Sequence, residues 1–348
     1  MRAAAAHGGT AAGDRCPWRA ILAPLAGLAL LAAAAPACAG DQPRPFLSSN
    51  QHPFIQIFSV PTPPAARLAG AGAWRATLQF DLTNNSIAQE EGAESIVLDG
   101  ETYRSTLSLS YGLSDRLEAG LVIPFVMHRR GVFDNFIEDW HDVFGLSNHK
   151  RTSFPRDRLN YAYTSPDAAE QLVVPAEGLG DIRLTLGWPI YKDAAGTRAL
   201  ALHAGLKLPS GDAAKLLGSG GTDLALQVSA TDAGLLAGWK STLFWSAGVL
   251  RLGHGEVLEP LRRDTVAIVS IGLGRPVLER IALKLQLDGH TSFYDTKLAV
   301  LGANTVQVIV GGEIDLRGAG TFDVGLAENL FTDTTPDLVF HLAWRAAL

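Results

Sequence analysis

Cysteine is almost missing from this chain of 348 residues: Cys16 and Cys38 are the two it has. Both lie near the start, so a chain cut just after them has no disulfide, no thiol nucleophile and no cysteine–metal site. Charge is scarce as well, with 18% Asp, Glu, Lys and Arg and a formal net charge of −6. Without a basic excess, nucleic acid is excluded as a partner. Beyond Ala39 no apolar run approaches the roughly 20 residues of a membrane-spanning helix. Cofactor motifs are lacking too. The run GSGG at 218–221 is not followed by Lys and Ser or Thr, Gly70-Ala-Gly72 and Gly318-Ala-Gly320 have no dinucleotide context, and H-E-x-x-H is absent. No cofactor and no resident metal are expected.

What the first residues do contain is an export pattern. Arg2, Arg15 and Arg19 precede an uncharged stretch from 20 to 37, which ends in Ala37-Cys38-Ala39. A positive start, an apolar middle and a small-x-small end describe a secretory signal peptide over 1–39, cleaved before Gly40. The removed piece carries three Arg and one Asp, so the formal net charge goes from −6 to −8.

Period two dominates the rest. From 74 to 83, Trp74, Ala76, Leu78, Phe80 and Leu82 alternate with Arg75, Thr77, Gln79, Asp81 and Thr83. Such strict alternation describes a strand with two unlike faces. Repeating the reading along the chain gives strands at 73–84, 101–112, 116–128, 180–192, 198–209, 222–232, 238–252, 264–275, 279–292, 303–315, 319–331 and 337–347. Soluble strands average about five or six residues, whereas tilted membrane strands need about nine to eleven. Links at 112–115, 193–197, 232–237, 276–278 and 317–318 are short. Those at 85–100, 129–179, 210–221, 253–263 and 293–302 are long, and 332–336 is intermediate. One rim of short turns and one of long loops is the outer-membrane pattern. Trp74, Tyr103, Tyr111, Trp188, Trp239 and Trp344 share the apolar parity, as interface girdles do.

These features predict an all-β fold, an antiparallel up-and-down transmembrane β-barrel of about twelve strands. Its domains are the signal peptide 1–39, a periplasmic or lumenal segment 40–72, and the barrel 73–348. Hydrocarbon leaves no partner for an open sheet edge, so the first strand must pair with the last. The polar parity then lines the lumen with Arg75, Asp81, Arg104, Glu118, Arg183, Lys207, Lys240, Lys284, Glu313 and Arg345, both signs being present. Either these charges pair across the lumen and stabilise it, or they act in transport.

The loop 129–179 breaks the pattern. Phe133, Ile137, Trp140 and Phe144 recur at helical spacing, with Asp134, Glu138 and Asp142 as an acidic stripe. An amphipathic helix there is a candidate gate or plug, formed by Phe133, Asp134, Ile137, Glu138, Trp140, His141 and Phe144. One histidine among scattered carboxylates is a solvated face, not a metal site.

The stretch GVFDNFIEDWHDVFGL at 131–146 and NQHPFIQIF at 50–58 resemble an uncharacterised family of bacterial outer-membrane proteins, domain of unknown function number 3187. GLGD at 178–181 and KLPSGD at 207–212 are similar to motifs of the phenol-degradation-associated outer-membrane transporter family. The resemblance implies a barrel that passes small or hydrophobic molecules, with no catalytic residues assigned. Such barrels commonly end on an aromatic residue; here Leu348 is terminal, with Trp344 the nearest aromatic on that face.

The expected role is thus a porin-like channel or transporter, not an enzyme, with outer-membrane lipid and small solutes as partners. A structural or envelope-assembly barrel with a plugged lumen is one alternative, and a lipid-modifying enzyme another. An enzyme of that kind would place Ser and His together on the lipid face. The strand histidines His128, His203, His290 and His341 all carry the polar parity instead.

Overall fold

The computed structural model describes residues 42–131, 158–330, 334–336 and 338–348. Twelve long antiparallel strands form the wall. They are β1 (Trp74–Glu91), β2 (Glu94–Ser114), β3 (Leu117–Arg129), β7 (Arg183–Lys192), β8 (Arg198–Lys207), β9 (Asp223–Asp232), β10 (Thr242–Arg251), β11 (Thr265–Leu278), β12 (Ile281–His290), β13 (Thr305–Asp315), β14 (Thr321–Asn329) and β15 (Leu338–Ala347). Three short ones, β4 (Asn160–Thr164), β5 (Ala169–Leu172) and β6 (Ala176–Leu179), come between β3 and β7. Each wall strand pairs with its neighbour, and β1 closes on β15 from Arg75↔Ala347 to Asn84↔Leu338. Closure satisfies backbone groups that an edge would leave unpaired in lipid, at several kcal/mol each.

The alternation decides which face is outside. On β9, Leu224 and Leu226 are half exposed while Asp223, Gln227 and Ser229 are buried. On β11, Val269 and Ile271 are exposed and Ser270 is buried between them. This inverts the soluble sandwich, whose apolar face is the covered one. An exterior of Leu, Val and Ile around a polar interior is a wall made for hydrocarbon. At the short-turn rim the rings of Trp74 and Tyr111 lie 4.7 Å apart. Among the described residues no helix is long and apolar enough to cross a membrane.

Three expectations need correction. Residues 85–100 are not a loop. β1 and β2 continue in register to Glu91↔Glu94, turning through Gly92 at φ +64°. The two-faced pattern fades there because Ile96 and Leu98 are buried in an apolar cluster, while β4 pairs alongside Ser95 to Asp99. The link 129–179 contributes β4 and β5 as a hairpin on β2 and β6 as an addition to β3. The strand placed at 238–252 begins at Thr242, because 237–239 form a 3-10 turn ending on Lys240 with φ +51°. The helix expected at 133–144 lies outside the described residues.

Apolar packing is concentrated at the long-loop mouth. Phe54, Ile57, Phe58, Ile96, Leu98, Tyr161, Leu216, Phe293, Tyr294 and Leu301 form one buried cluster. Its centre is α1 (Pro53–Gln56), a single turn with proline at its start. His52 caps it, accepting from the Phe54 N–H. A second short turn, α2 (Ala299–Gly302), packs into the same cluster through Val300 and Leu301.

Candidate functional site: the lumen and its N-terminal strap

Residues 42–72 form a strap inside the barrel. Its ascending limb follows the inner face of β12 and the loop above it at a constant separation. Phe46 N donates to Gln286, Ser48 Oγ to Asp288, and Lys284 Nζ to the Arg44 carbonyl at 3.1 Å. Asn50 Nδ2 meets His290 Nε2 at 2.9 Å, and Tyr294 Oη donates to the Phe54 carbonyl at 2.8 Å. Every one of these pairs is 240 residues apart. An extended limb and a strand share the same two-residue repeat, so alternate strap residues meet alternate inward residues of β12.

A four-group ion network holds the lower part of this limb. Lys284 Nζ lies 2.6 Å from Asp323 and 3.7 Å from Glu313, and Arg345 reaches the same two carboxylates at 2.7 and 3.3 Å. Arg345 also donates to the Pro45 carbonyl at 2.5 Å. Lys284 Nζ stands 4.0 Å over the Phe46 ring, a desolvated cation–π contact. Buried charges survive when paired and hydrogen-bonded, and here the strap supplies part of that pairing.

After α1 the chain descends along the opposite wall, where arginines grip its carbonyls. Arg104 donates to the Gln56 carbonyl at 3.1 Å and to Ser59 Oγ at 3.1 Å. Arg183 donates to the carbonyls of Phe58 and Ser59. Arg75 donates to those of Arg67 and Leu68 at 2.7 and 2.8 Å and lies 3.7 Å from Glu118. Glu118 accepts from the Ala69 N–H at the rim. Burial lowers the His52 imidazole to a pKa of about 3, with His290 adding to the effect, because a charged ring in this apolar mouth would lose its hydration.

A separate knot fixes the long-loop mouth. Lys207 Nζ, fully buried, is 2.5 Å from Asp181 and 3.0 Å from Asp223, and donates to Ser219 and the Gly221 carbonyl. Asp181 in turn accepts from the N–H groups of Gly211 and Ser219. The two motifs at 178–181 and 207–212 are therefore one structural knot around a single ammonium.

Below the apolar mouth the lumen opens into a cavity of about 590 Å³ facing the short-turn rim. Arg44, Arg75, Arg104, Glu118, Arg183, His203, Gln227 and Arg345 are among its lining. Of the ten residues read from the sequence as lumen-lining, Asp81, Arg104, Arg183, Lys207, Lys284, Glu313 and Arg345 are buried and Arg75 and Glu118 partly buried. Asp81 lies 2.7 Å from His341. Lys240 is the exception, exposed in the turn before β10. Phe133, Asp134, Ile137, Glu138, Trp140, His141 and Phe144 lie outside the described residues. The grip on the strap was not read residue by residue. A signal for it existed, since Phe46, Phe54, Ile55, Ile57 and Phe58 stand outside any periodic strand and need a surface to cover them. Among the described residues no cluster of His, Cys, Asp and Glu could hold a metal. His203 Nε2 lies 2.9 Å from Ser229 Oγ, a Ser–His contact inside the lumen.

A family model described as "Protein of unknown function (DUF3187)" matches residues 21–347. No curated protein matches. Among solved structures, the COG4313 outer membrane channel from Pseudomonas putida F1 superposes with a TM-score of 0.54 at 14% identity, covering 82% of this chain and 99% of that one. The Ralstonia pickettii toluene transporter TbuX gives 0.38 at 11% identity, over 80% of this chain and 90% of that one. The first of these scores establishes a common barrel fold; the second adds nothing to it.

Proposed function

This chain belongs to the family described as Protein of unknown function (DUF3187), and from that premise we propose that it is an outer-membrane channel or transporter for small molecules, held shut by its own N-terminal strap. Residues 1–39 act as the export signal and are removed, 40–72 are the strap, and 73–348 are the barrel, with outer-membrane lipid against its wall. The observation that carries this reading is how the strap is held. Between 44 and 68 its hydrogen bonds to the wall run through side chains such as Gln286, Asp288, Arg104 and Arg183 rather than through a strand ladder. A segment held this way can leave without breaking the barrel's hydrogen-bonded ring, and the cavity behind it then continues to the mouth.

The test is conductance across a planar bilayer with cysteines at Ser48 and Asp288, joined by a short reducible linker. The linked protein should carry little current, and reduction should restore flickering openings. Equal current before and after reduction would remove the strap as a gate.

A second reading is favoured by the buried cluster that fills the mouth: a sealed barrel with a structural or assembly role. Absence of current in every state, with outer-membrane permeability unchanged on deleting the gene, would favour it. Catalysis on lipid has no part in the proposal, because the contact between His203 and Ser229 faces the lumen. Cleavage of outer-membrane lipid by the purified protein would contradict that.

A further inference from the structure

We infer that the cavity behind the strap binds a small organic carboxylate, with the Arg183 guanidinium as its anchor. This deepens the channel reading and rests on the lumen being a solute compartment. Arg183 is 4% exposed, and its Nη2 is used on the carbonyls of Phe58 and Ser59. Its Nη1 is buried without a partner, although the residue lines the cavity. The neighbouring carboxylates Asp181 and Asp223 act on the guanidinium through their charge but make no hydrogen bond to Nη1, both being held by Lys207. A buried charged donor left unmade is costly, and an anion in the cavity relieves that cost.

The adjoining strand sets no side chain against that nitrogen. Gly205, on the adjoining strand, would place a Cβ 3.2 Å from Nη1, so any side chain there competes for the same position. The wider lining supplies the field. Six arginines line the cavity against two carboxylates, Glu118 and Asp315; Arg345 is matched by Glu313 and Asp323, and the remaining excess concentrates anions in a low-dielectric cleft. One free guanidinium nitrogen suits a monoanion better than a phosphate, which needs several donors. Val60, Pro61 and Ala225 in the same lining offer an apolar surface to the rest of the molecule.

The experiment is calorimetric titration of the full chain in detergent with benzoate, benzyl alcohol and inorganic phosphate, repeated with Gly205→Asp and Arg183→Lys. Benzoate should bind saturably and at least about tenfold more tightly than the other two, the step expected for one hydrogen bond to a charged group. Gly205→Asp should abolish benzoate binding while thermal unfolding stays at the parent temperature or higher, its carboxylate taking the vacant place. Arg183→Lys, which keeps charge but loses the fork, should weaken benzoate about tenfold. Benzyl alcohol or phosphate binding as tightly as benzoate, or undiminished benzoate binding by Gly205→Asp, overturns the inference. Bilayer current from the same preparation separates the two claims. Current without benzoate binding overturns the carboxylate site alone, and benzoate binding without current in any state overturns the channel and leaves the site standing.

Discussion

The ring of Phe46 lies beneath the ammonium of Lys284, 4.0 Å from Nζ to its centroid. Together with the Arg44 and Pro45 carbonyls, this contact ties the strap to the wall's ion network, since Lys284 also holds Asp323 at 2.6 Å. Removing the ring should loosen the strap at its lower anchor while leaving the barrel's strand ladder whole.

Phe46→Ala should therefore cost on the order of 3 kcal/mol locally, the usual loss for a buried aromatic. Trypsin should then cleave at Arg67 while the wall stays protected. Gel mobility of the unheated barrel checks that the wall is intact. A strap no more accessible than in the parent would contradict the assignment of this anchor.

Lys207→Met leaves Asp181 and Asp223 buried with no cation between them. Breaking one partner of a buried pair costs about 3–5 kcal/mol, and the melting temperature should fall accordingly. The triple change Lys207→Met with Asp181→Asn and Asp223→Asn should recover much of the loss. If Lys207→Met alone melts like the parent, the knot is not a source of stability.

Acid should release the strap. The His52 pKa, about 6.5 when free, is held near 3 by burial first and His290 second. Its burial is without protonation cost above pH 6.5. As pH falls below that value the released form gains a proton that the docked form refuses, and docking weakens progressively toward pH 3. Protease accessibility of residues 42–72 should rise from pH 7 to pH 4. His52→Gln, which cannot titrate, should flatten that profile.

The two faces should respond oppositely to charge. Leu226→Arg places a guanidinium against lipid and should cost about 2–4 kcal/mol near the bilayer midplane, read as lost folding into lipid vesicles. Gln227→Arg on the adjacent inward position should fold far better. Equal folding yields would contradict the inverted wall.

The wall was legible in the sequence because its two faces meet two solvents: alternation sets Leu226 and Gln227 on opposite faces, and strand length, the export pattern and the alternating loop lengths put Leu226 outside. Legibility ended where that contrast ended. Asn84, Asn85 and Ser86 are buried in a row, as are Leu98, Asp99 and Gly100, while the tip between them is exposed, so period two disappears and the strands there read as a loop. Lys240 carried the polar parity but sits in a turn, where parity has no meaning. The strap has neither period. Six prolines between 43 and 64 remove backbone donors, and its match to β12 is a relation across 240 residues that local pattern cannot express. Arg183 was legible as inward-facing, but its vacant nitrogen follows from where Asp181, Asp223 and Lys207 converge.

The most direct measurement is single-molecule ion current through barrels lacking residues 44–60, compared with the full chain in the same bilayer. A lumen closed by its strap predicts a larger and steadier current in the shortened barrel than in the parent. Currents that are equal in the two, or absent from both while each runs as a folded barrel on an unheated gel, would contradict the account.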